Sequence, residues 1–266
     1  MKENCETVPP VATWFQDGFH RFLKPYLRRH FHAIAVDRES CSGATLCSDG
    51  PLVVYGNHPS WWDPMVAHFL NRTLFAGRQF RAPIAAEALA RYKVLGKLGF
   101  YGVQMDSKSG AARFLKQSNQ ILDSSDSAIW VTPEGRFADA RDHREELMPG
   151  LAHLCARRSN GWVLPLALEY VFWDERLPVC LARMGAPIRI ADHVGDSKPQ
   201  WNDQLRQRLR DNQCRLAELA IARSSEPFDN LLVGKRGAGG IYEWMRRTKS
   251  VITRNEFRSQ HGSQFE

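Results

Sequence analysis

The sequence contains no long hydrophobic run. No apolar stretch approaches the roughly 20 residues that a bilayer-spanning helix requires, and residues 1–6 lack the apolar core of a signal peptide. The six cysteines include no Cys-x-x-Cys pair, which argues against a zinc module and favours reduced thiols in a cytosol. Internal repeats and low-complexity linkers are also missing. We therefore expect one domain over residues 1–266, in the cytoplasm.

The chain carries an excess of positive charge. Its formal net charge is +7 and its isoelectric point is near 9.2, which suggests an anionic partner such as lipid headgroups, an acidic carrier protein or nucleic acid. The basic residues are spread along the chain and form no recognised nucleic-acid-binding module. A nucleic-acid partner is therefore not expected.

Short β-rich runs alternate with helical patterns through the first two thirds of the chain. This order predicts βαβ units, and hence an α/β fold with a central, largely parallel sheet flanked by helices. The predicted strands lie at 51–56, 81–86, 100–105, 128–131 and 162–168, and the predicted helices between them at 65–70, 87–98, 109–122 and 146–158.

Asn57-His58-Pro59-Ser60-Trp61-Trp62-Asp63-Pro64 follows the first of these runs and is the segment around which the chain is organised. A histidine in a loop at the end of a buried strand is well placed for chemistry, and the Asp63 carboxylate could hold one imidazole nitrogen while the other takes a proton. Asp63-Pro64 is also a good helix start, and Trp61 and Trp62 could be core residues or walls of a ligand site.

Asn57-His58-x-x-x-x-Asp63 resembles the first signature block of the glycerolipid acyltransferases, the lysophosphatidate-acyltransferase-like superfamily. Pro133-Glu134-Gly135-Arg136, about seventy-five residues later, resembles another block of that family, usually Pro-Glu-Gly-Thr-Arg-Ser. The resemblance covers roughly residues 50–170. It implies that His58 is a general base oriented by Asp63, and that Asn57, Glu134, Gly135 and Arg136 bind substrate.

Two departures from the family pattern concern the phosphate of a glycerol-phosphate acceptor. The threonine after Gly135 is missing, so Arg136 is shifted by one position, and Ser107 stands where the middle block commonly has an arginine. Lys108 or Arg113 could replace that arginine as a point charge, or the acceptor is not phosphorylated.

The two ends of the chain carry amphipathic helices. Residues 13–31 place aromatic side chains at helical spacing, with Lys24, Arg28 and Arg29 beside them, which fits either a membrane-surface helix or a helix packed on the core. Pro25 should kink or divide this helix. Residues 201–252 are predicted as C-terminal helices. The first, over 201–223, is capped at Asn202 or Asp203 and is interpreted as a solvated scaffold, with a membrane-surface contact as the alternative. The second is a basic helix over 241–252.

These features together predict an acyltransferase that moves a fatty acyl group from an acyl thioester to a hydroxyl or amine of a lipid-type acceptor. Acyl-CoA or acyl carrier protein would be the co-substrate, with no other cofactor and no metal, and the enzyme could sit peripherally on the inner face of the membrane. Backbone N–H groups near Pro64 are candidate oxyanion donors, and His68 is expected on a helix surface. The alternative is a catalytically altered, lipid-binding protein of the same fold.

Overall fold

A computed structural model describes residues 8–47, 49–104, 107–234 and 265. The helices are α1 (Thr13–His30), α2 (Cys41–Leu46), α3 (Asp63–Leu74), α4 (Ala86–Arg91), α5 (Val94–Lys97), α6 (Lys108–Leu122), α7 (Gly150–Cys155) and α8 (Lys198–Ala222). The strands are β1 (Ala33–Asp37), β2 (Leu52–Gly56), β3 (Gln79–Ala85), β4 (Phe100–Val103), β5 (Ser127–Val131), β6 (Trp162–Val171), β7 (Val179–Met184), β8 (Ile188–Arg189) and β9 (Phe228–Val233). Short 3-10 helices span Arg38–Ser40 and Ile190–His193.

The strands form one mixed sheet in the order β4-β3-β5-β2-β6-β7-β1-β9, with β8 paired to β6. Five strand pairings are parallel and three are antiparallel. The predicted α/β fold with a largely parallel sheet is confirmed. β2 is buried along its whole length, as expected for a central parallel strand covered on both faces.

Alternate residues of β2 face two different helical layers, because successive side chains of a strand point to opposite faces of the sheet. Leu52 and Val54 join the core cluster that includes residues of α1 and α3. Val53 and Tyr55 join the cluster beneath α6, α7 and α8. The cores on both faces therefore meet at the strand that leads into His58.

Several predicted elements need correction. The helix predicted at 87–98 is two helices, α4 and α5, and the one predicted at 146–158 is only α7, because residues 142–148 lie in a loop. α1 is one helix that contains Pro25, so the proline does not divide it. His68 is buried, not on a helix surface.

The C-terminal region, predicted as helices over 201–252, also differs. α8 begins at Lys198 and is capped by Ser197 through a capping box with Gln200, not by Asn202 or Asp203. It is followed by strand β9, which pairs antiparallel with β1. The helix predicted over 241–252 lies outside the described residues.

Candidate active site

The parallel sheet brings the two sequence blocks together. β2 and β5 are neighbouring parallel strands, so the segments that leave their carboxyl ends lie at the same edge of the sheet. His58 follows β2 and Gly135 follows β5. The main-chain N–H of Ala138 donates to the carbonyl of His58 at 3.1 Å, which ties the second segment to the first.

His58 and Asp63 form a hydrogen-bonded pair. Nδ1 of His58 lies 2.6 Å from Oδ2 of Asp63. A turn at Trp61-Trp62, closed by the hydrogen bond from the N–H of Asp63 to the carbonyl of Ser60, folds the loop between them. A five-residue separation, which would place the side chains on different faces of a regular helix, therefore still brings them together. Asp63 is the first residue of α3 as well as the partner of His58. A helix therefore does start at Asp63-Pro64, but its N-cap is Trp62 and not Asp63.

Asp63 is buried and receives two further hydrogen bonds. The main-chain N–H of Ser60 donates to Oδ2 at 3.1 Å, and the hydroxyl of Tyr170 donates to Oδ1 at 2.6 Å. Burial, followed by the proximity of Cys180 and Asp63, raises the pKa of Tyr170 well above its ordinary value, so the phenol keeps its proton. An ionised carboxylate can only accept hydrogen bonds, so Nδ1 of His58 is the donor to an ionised Asp63 and the hydrogen bond leaves Nε2 unengaged by Asp63.

One face of the imidazole is covered by Phe137, whose ring centroid lies 4.2 Å from that of His58. The side chain of His58 is nevertheless 19% exposed, and it lines a cavity of about 430 Å³. The cavity extends from β6 to β4 beneath the ends of the parallel strands. Most of its wall is apolar, including Val54, Phe80, Phe100, Trp130 and Leu168.

The predicted substrate-binding residues occupy different places. Asn57 lines the cavity, but both ends of its amide bond the main chain of Leu168, each at 2.9 Å. Gly135 also lines the cavity, with a φ of +69° that favours glycine. Glu134 points away from the cavity towards α8, and Arg136 pairs with Glu145 at the surface.

The residues of the middle block are only partly described. Ser107 caps α6, because its hydroxyl accepts from the N–H of Gly110 at 3.0 Å. Its place in this chain is therefore structural. The side chain of Lys108 lies outside the described residues.

Residues of α8 hold the segment between β5 and α7. Arg210 donates to Glu134 at 2.5 Å and to the carbonyl of Glu145 at 2.6 Å, and Gln213 donates to the carbonyl of Ala140 at 2.9 Å. These contacts fix the segment that carries Gly135 and Phe137. The scaffold role predicted for this helix is thus supplemented by direct support of the site.

One sequence expectation about this site is wrong. The N–H groups of Asp63, Met65 and Val66 already have main-chain acceptors, so they are not free oxyanion donors. Of the two alternatives for the tryptophans, core packing holds for Trp62, which packs on Phe31 at the end of α1, whereas Trp61 is exposed and neither residue lines the cavity. Sequence reasoning missed Tyr170 and Phe137, because no local pattern links them to His58.

The comparison with known families agrees with the geometry. The sequence model described as Acyltransferase matches residues 26–169, more than half of the 266 residues. The chain therefore belongs to the acyltransferase family. No match was found among curated proteins.

Within the described residues, no helix is both long enough and apolar enough to cross a membrane. Among the cysteines that the structure describes, Cys41, Cys47, Cys155, Cys180 and Cys214, no pair is joined by a disulfide. Burial raises the pKa of Cys47 and Cys155 to about 12, so both stay protonated at neutral pH.

Proposed function

We propose that the protein transfers a fatty acyl group from an acyl thioester, carried by coenzyme A or acyl carrier protein, to a hydroxyl or amine of a lipid-type acceptor. The observation that carries this proposal is the His58–Asp63 pair on the wall of a largely apolar cavity. The pair supplies a base, and the cavity matches the chemistry of an acyl chain.

In the proposed reaction, Nε2 of His58 takes the proton of the acceptor as its oxygen or nitrogen attacks the thioester carbonyl carbon. The new bond to the acceptor gives a tetrahedral intermediate. When this intermediate collapses, the carbon–sulfur bond breaks and the imidazolium returns the proton to the leaving thiolate. Asp63 stabilises the imidazolium in between, and no acyl-enzyme is formed.

Tyr170 and Ser60 act through Asp63. Their two hydrogen bonds hold the carboxylate towards His58 and help to stabilise its charge in a buried position. Both are positioning residues. We assign the same role to Asn57. Its amide hydrogen-bonds the main chain of Leu168 and so fixes the end of β2 against β6, directly before His58.

We further propose a cytoplasmic enzyme that works at the inner face of the membrane, where its acceptor resides. No disulfide joins the cysteines that the structure describes, which supports a reducing compartment. A lipid acceptor would reach the cavity from a bilayer surface.

The test is release of free thiol from long-chain acyl-CoA or acyl-carrier-protein donors with a panel of acceptors: lysophosphatidate, lysophospholipids, glycolipids and amino-lipids. We expect release that depends on one acceptor class and that falls about 10²- to 10⁴-fold in His58→Ala. His193→Ala is the matched control, because His193 forms a similar pair with Asp196, at 2.9 Å, away from the cavity. Equal turnover in His58→Ala and wild type would overturn the mechanism.

A protein that binds lipid without turning it over would release no thiol with any acceptor, while still retaining an acyl donor in a binding assay. This outcome would contradict the acyltransferase hypothesis and support the alternative, a lipid-binding protein of the same fold. A panel that includes phosphorylated and unphosphorylated acceptors also tests whether the shifted Arg136 still serves a phosphate.

A further inference from the structure

The wall of the cavity beside His58 is almost entirely uncharged. Among the described residues that line it, His58 and Asp63 are the only ones with ionisable side chains. Three further side chains of this lining are polar but neutral, those of Asn57, Gln104 and Thr132. The described wall therefore presents no lysine or arginine to a bound ligand.

The His58–Asp63 pair makes the reacting end of the cavity negative. In the proposed reaction Asp63 is ionised and His58 starts as the neutral base, so the pair carries one net negative charge. Both side chains line the cavity, and Asp63 is buried. A phosphomonoester carries about −1.5 to −2 charges at neutral pH. Beside this pair it would meet a charge of its own sign where water screens poorly, which is unfavourable.

The arginine of the second sequence block does not offset this charge. Arg136 pairs with Glu145 at the surface, and unlike its neighbour Gly135 it does not line the cavity. An ion pair as exposed as this one is weak. The placement of Arg136, more than the strength of its pair, therefore keeps the guanidinium away from a ligand in the cavity.

The segment between β5 and α7 also lacks a surplus of positive charge. Residues 132–149 contain three arginines and five carboxylates. Each of these arginines has a carboxylate partner: Arg136 pairs with Glu145, Arg141 with Glu169 and Arg144 with Asp142. The positive charges of this segment are thus neutralised from within the protein.

Arg113, which by its charge could replace the missing arginine of the middle block, lies on another face of α6. Ala111 and Phe114 line the cavity, whereas Arg113 does not. Residues three positions apart share a face of a helix, so the face of α6 that meets the cavity is that of Ala111 and Phe114. Lys108 is the other cation that the sequence offers at this block.

From these observations we propose that the acceptor carries no phosphate beside the group that is acylated, as in a monoacylglycerol or a glycolipid. This proposal rests on the proposed function, because it names the acceptor class of the same reaction at His58. In lysophosphatidate the phosphate is on the carbon next to the one with the reacting hydroxyl, so it would lie within a few bonds of Nε2 of His58. A hydroxyl in that place suits the neutral side chains of Gln104 and Thr132.

Thiol release with two acceptors that differ only in the phosphate tests this proposal. One acyl thioester is combined with a monoacylglycerol, or with the lysophosphatidate of the same acyl chain, in uncharged detergent micelles, so that no surface charge favours either acceptor. We expect kcat/KM for the monoacylglycerol to be higher by about tenfold or more. An equal or higher kcat/KM for the lysophosphatidate would overturn the proposal.

Charge-removing variants show whether a cation serves the acceptor. Arg136→Gln and Lys108→Gln should each leave the ratio of the two kcat/KM values as in wild type. Arg144→Gln is the matched control, because it removes an arginine of the same segment that is 87% exposed. A loss of about tenfold that is confined to lysophosphatidate, in Arg136→Gln or Lys108→Gln but not in the control, would reveal a phosphate-binding cation and contradict the proposal.

Gln104→Arg tests the electrostatic cause directly. Gln104 is exposed and lines the cavity, so the substitution places a cation at its opening. The variant should reduce the preference for the monoacylglycerol about tenfold, through a higher kcat/KM with lysophosphatidate. Gln104→Met has a similar length without charge and should keep the wild-type preference. If the two variants had the same preference, charge would not decide the choice of acceptor, and the proposal would fail.

Equilibrium binding separates the acceptor class from the proposed reaction. If no acceptor of the wider panel supported thiol release, the proposed reaction would fail, and binding of the same two lipids would still decide the acceptor class. Binding of the monoacylglycerol that is tighter by about tenfold or more would support an unphosphorylated ligand. Equal or tighter binding of the lysophosphatidate would overturn it.

Discussion

Asp63 accepts hydrogen bonds from three residues in two separate parts of the structure. His58 and Ser60 come from its own loop, whereas Tyr170 comes from β6, 107 residues further along the chain. Such donors favour the ionised form of a buried carboxylate, and the proposed reaction uses that form to stabilise the developing imidazolium. The phenol of Tyr170 is therefore as much a part of the arrangement as the loop.

Tyr170→Phe should lower kcat about tenfold and leave KM unchanged. The ring that packs on Phe31 is retained, but Oδ1 of Asp63 loses its donor, so the carboxylate turns less readily towards His58. A tenfold loss corresponds to about 1.4 kcal/mol in the barrier. Steady-state kinetics over a range of acceptor concentrations measures the two constants separately.

A merely structural tyrosine would give a different result in that measurement. The variant would then unfold at a lower temperature and lose active protein, with kcat per folded molecule unchanged. Thermal unfolding of Tyr170→Phe beside wild type separates these two outcomes.

At the scale of elements, the contact between α1 and α3 contains a buried histidine. His68 of α3 packs edge-on against Phe19 and Phe80, with centroids 5.0 and 5.2 Å away. Burial, then the charges of His20 and Arg72, lowers its pKa to about 4, although the Gln16 main chain and Asp17 act in the opposite direction. The ring is therefore neutral in the folded protein at neutral pH.

This histidine makes the attachment of α1 sensitive to acid. The unfolded chain protonates such a ring below about pH 6.5, whereas the folded protein does so only near pH 4. The unfolding free energy therefore keeps its full value above pH 6.5. It declines as the pH falls from 6.5 to about 4, because the unfolded chain then binds a proton that the folded protein does not. The size of this decline is roughly 3 kcal/mol of unfolding free energy.

His68→Gln should flatten that pH dependence. Urea unfolding at several values between pH 7 and pH 4 should show a smaller fall in unfolding free energy for the variant than for wild type. His20 keeps a residual slope, because burial and then Arg72 lower its pKa as well. Parallel curves for both proteins would show that His68 contributes no proton linkage.

Local sequence patterns predict the central strands of the sheet but not its antiparallel strands. β2 and β5 are short, fully buried apolar runs, and their hydrophobicity alone indicates central strands. β7 and β8 pair antiparallel with β6, and β9 with β1; these pairings depend on partners elsewhere in the chain. The sequence Phe-Asp-Asn-Leu-Leu-Val of β9 has no clean alternation, as an edge strand permits.

The candidate site divides in the same way. His58 and Asp63 could be identified from the sequence because both belong to one short motif, five positions apart. Tyr170, Arg210 and Gln213 could not, because tertiary contacts alone bring them to the loops. Arg136 is the opposite case. The motif identifies the residue, but its guanidinium forms an ion pair with Glu145 at the surface, which the motif does not predict.

At the scale of the whole molecule, the cavity extends from the loop of His58 to the far edge of the parallel sheet. Its lining runs from Leu166 and Leu168 of β6 to Phe100 of β4. Three strand spacings separate β2 from β4, which corresponds to roughly 14 Å. Under the proposed function, this distance limits how much of an acyl chain can be buried beyond the reacting carbonyl.

Ala82→Leu should therefore shorten the preferred acyl chain. Ala82 lies on β3 and lines the cavity between the loop of His58 and β4, so a larger side chain there would occupy the space that the proposed function gives to the last methylenes of the acyl chain. Each methylene excluded from an apolar site costs about 0.8 kcal/mol, or about fourfold in affinity. KM should rise for the longest donors and stay unchanged for the shortest, in kinetics with a series of acyl thioesters of increasing length.

The shortest donor is the internal control for folding, because a damaged protein would lose activity with every chain length. A uniform loss across the series would mean that the acyl chain lies elsewhere, and that this cavity serves the acceptor instead.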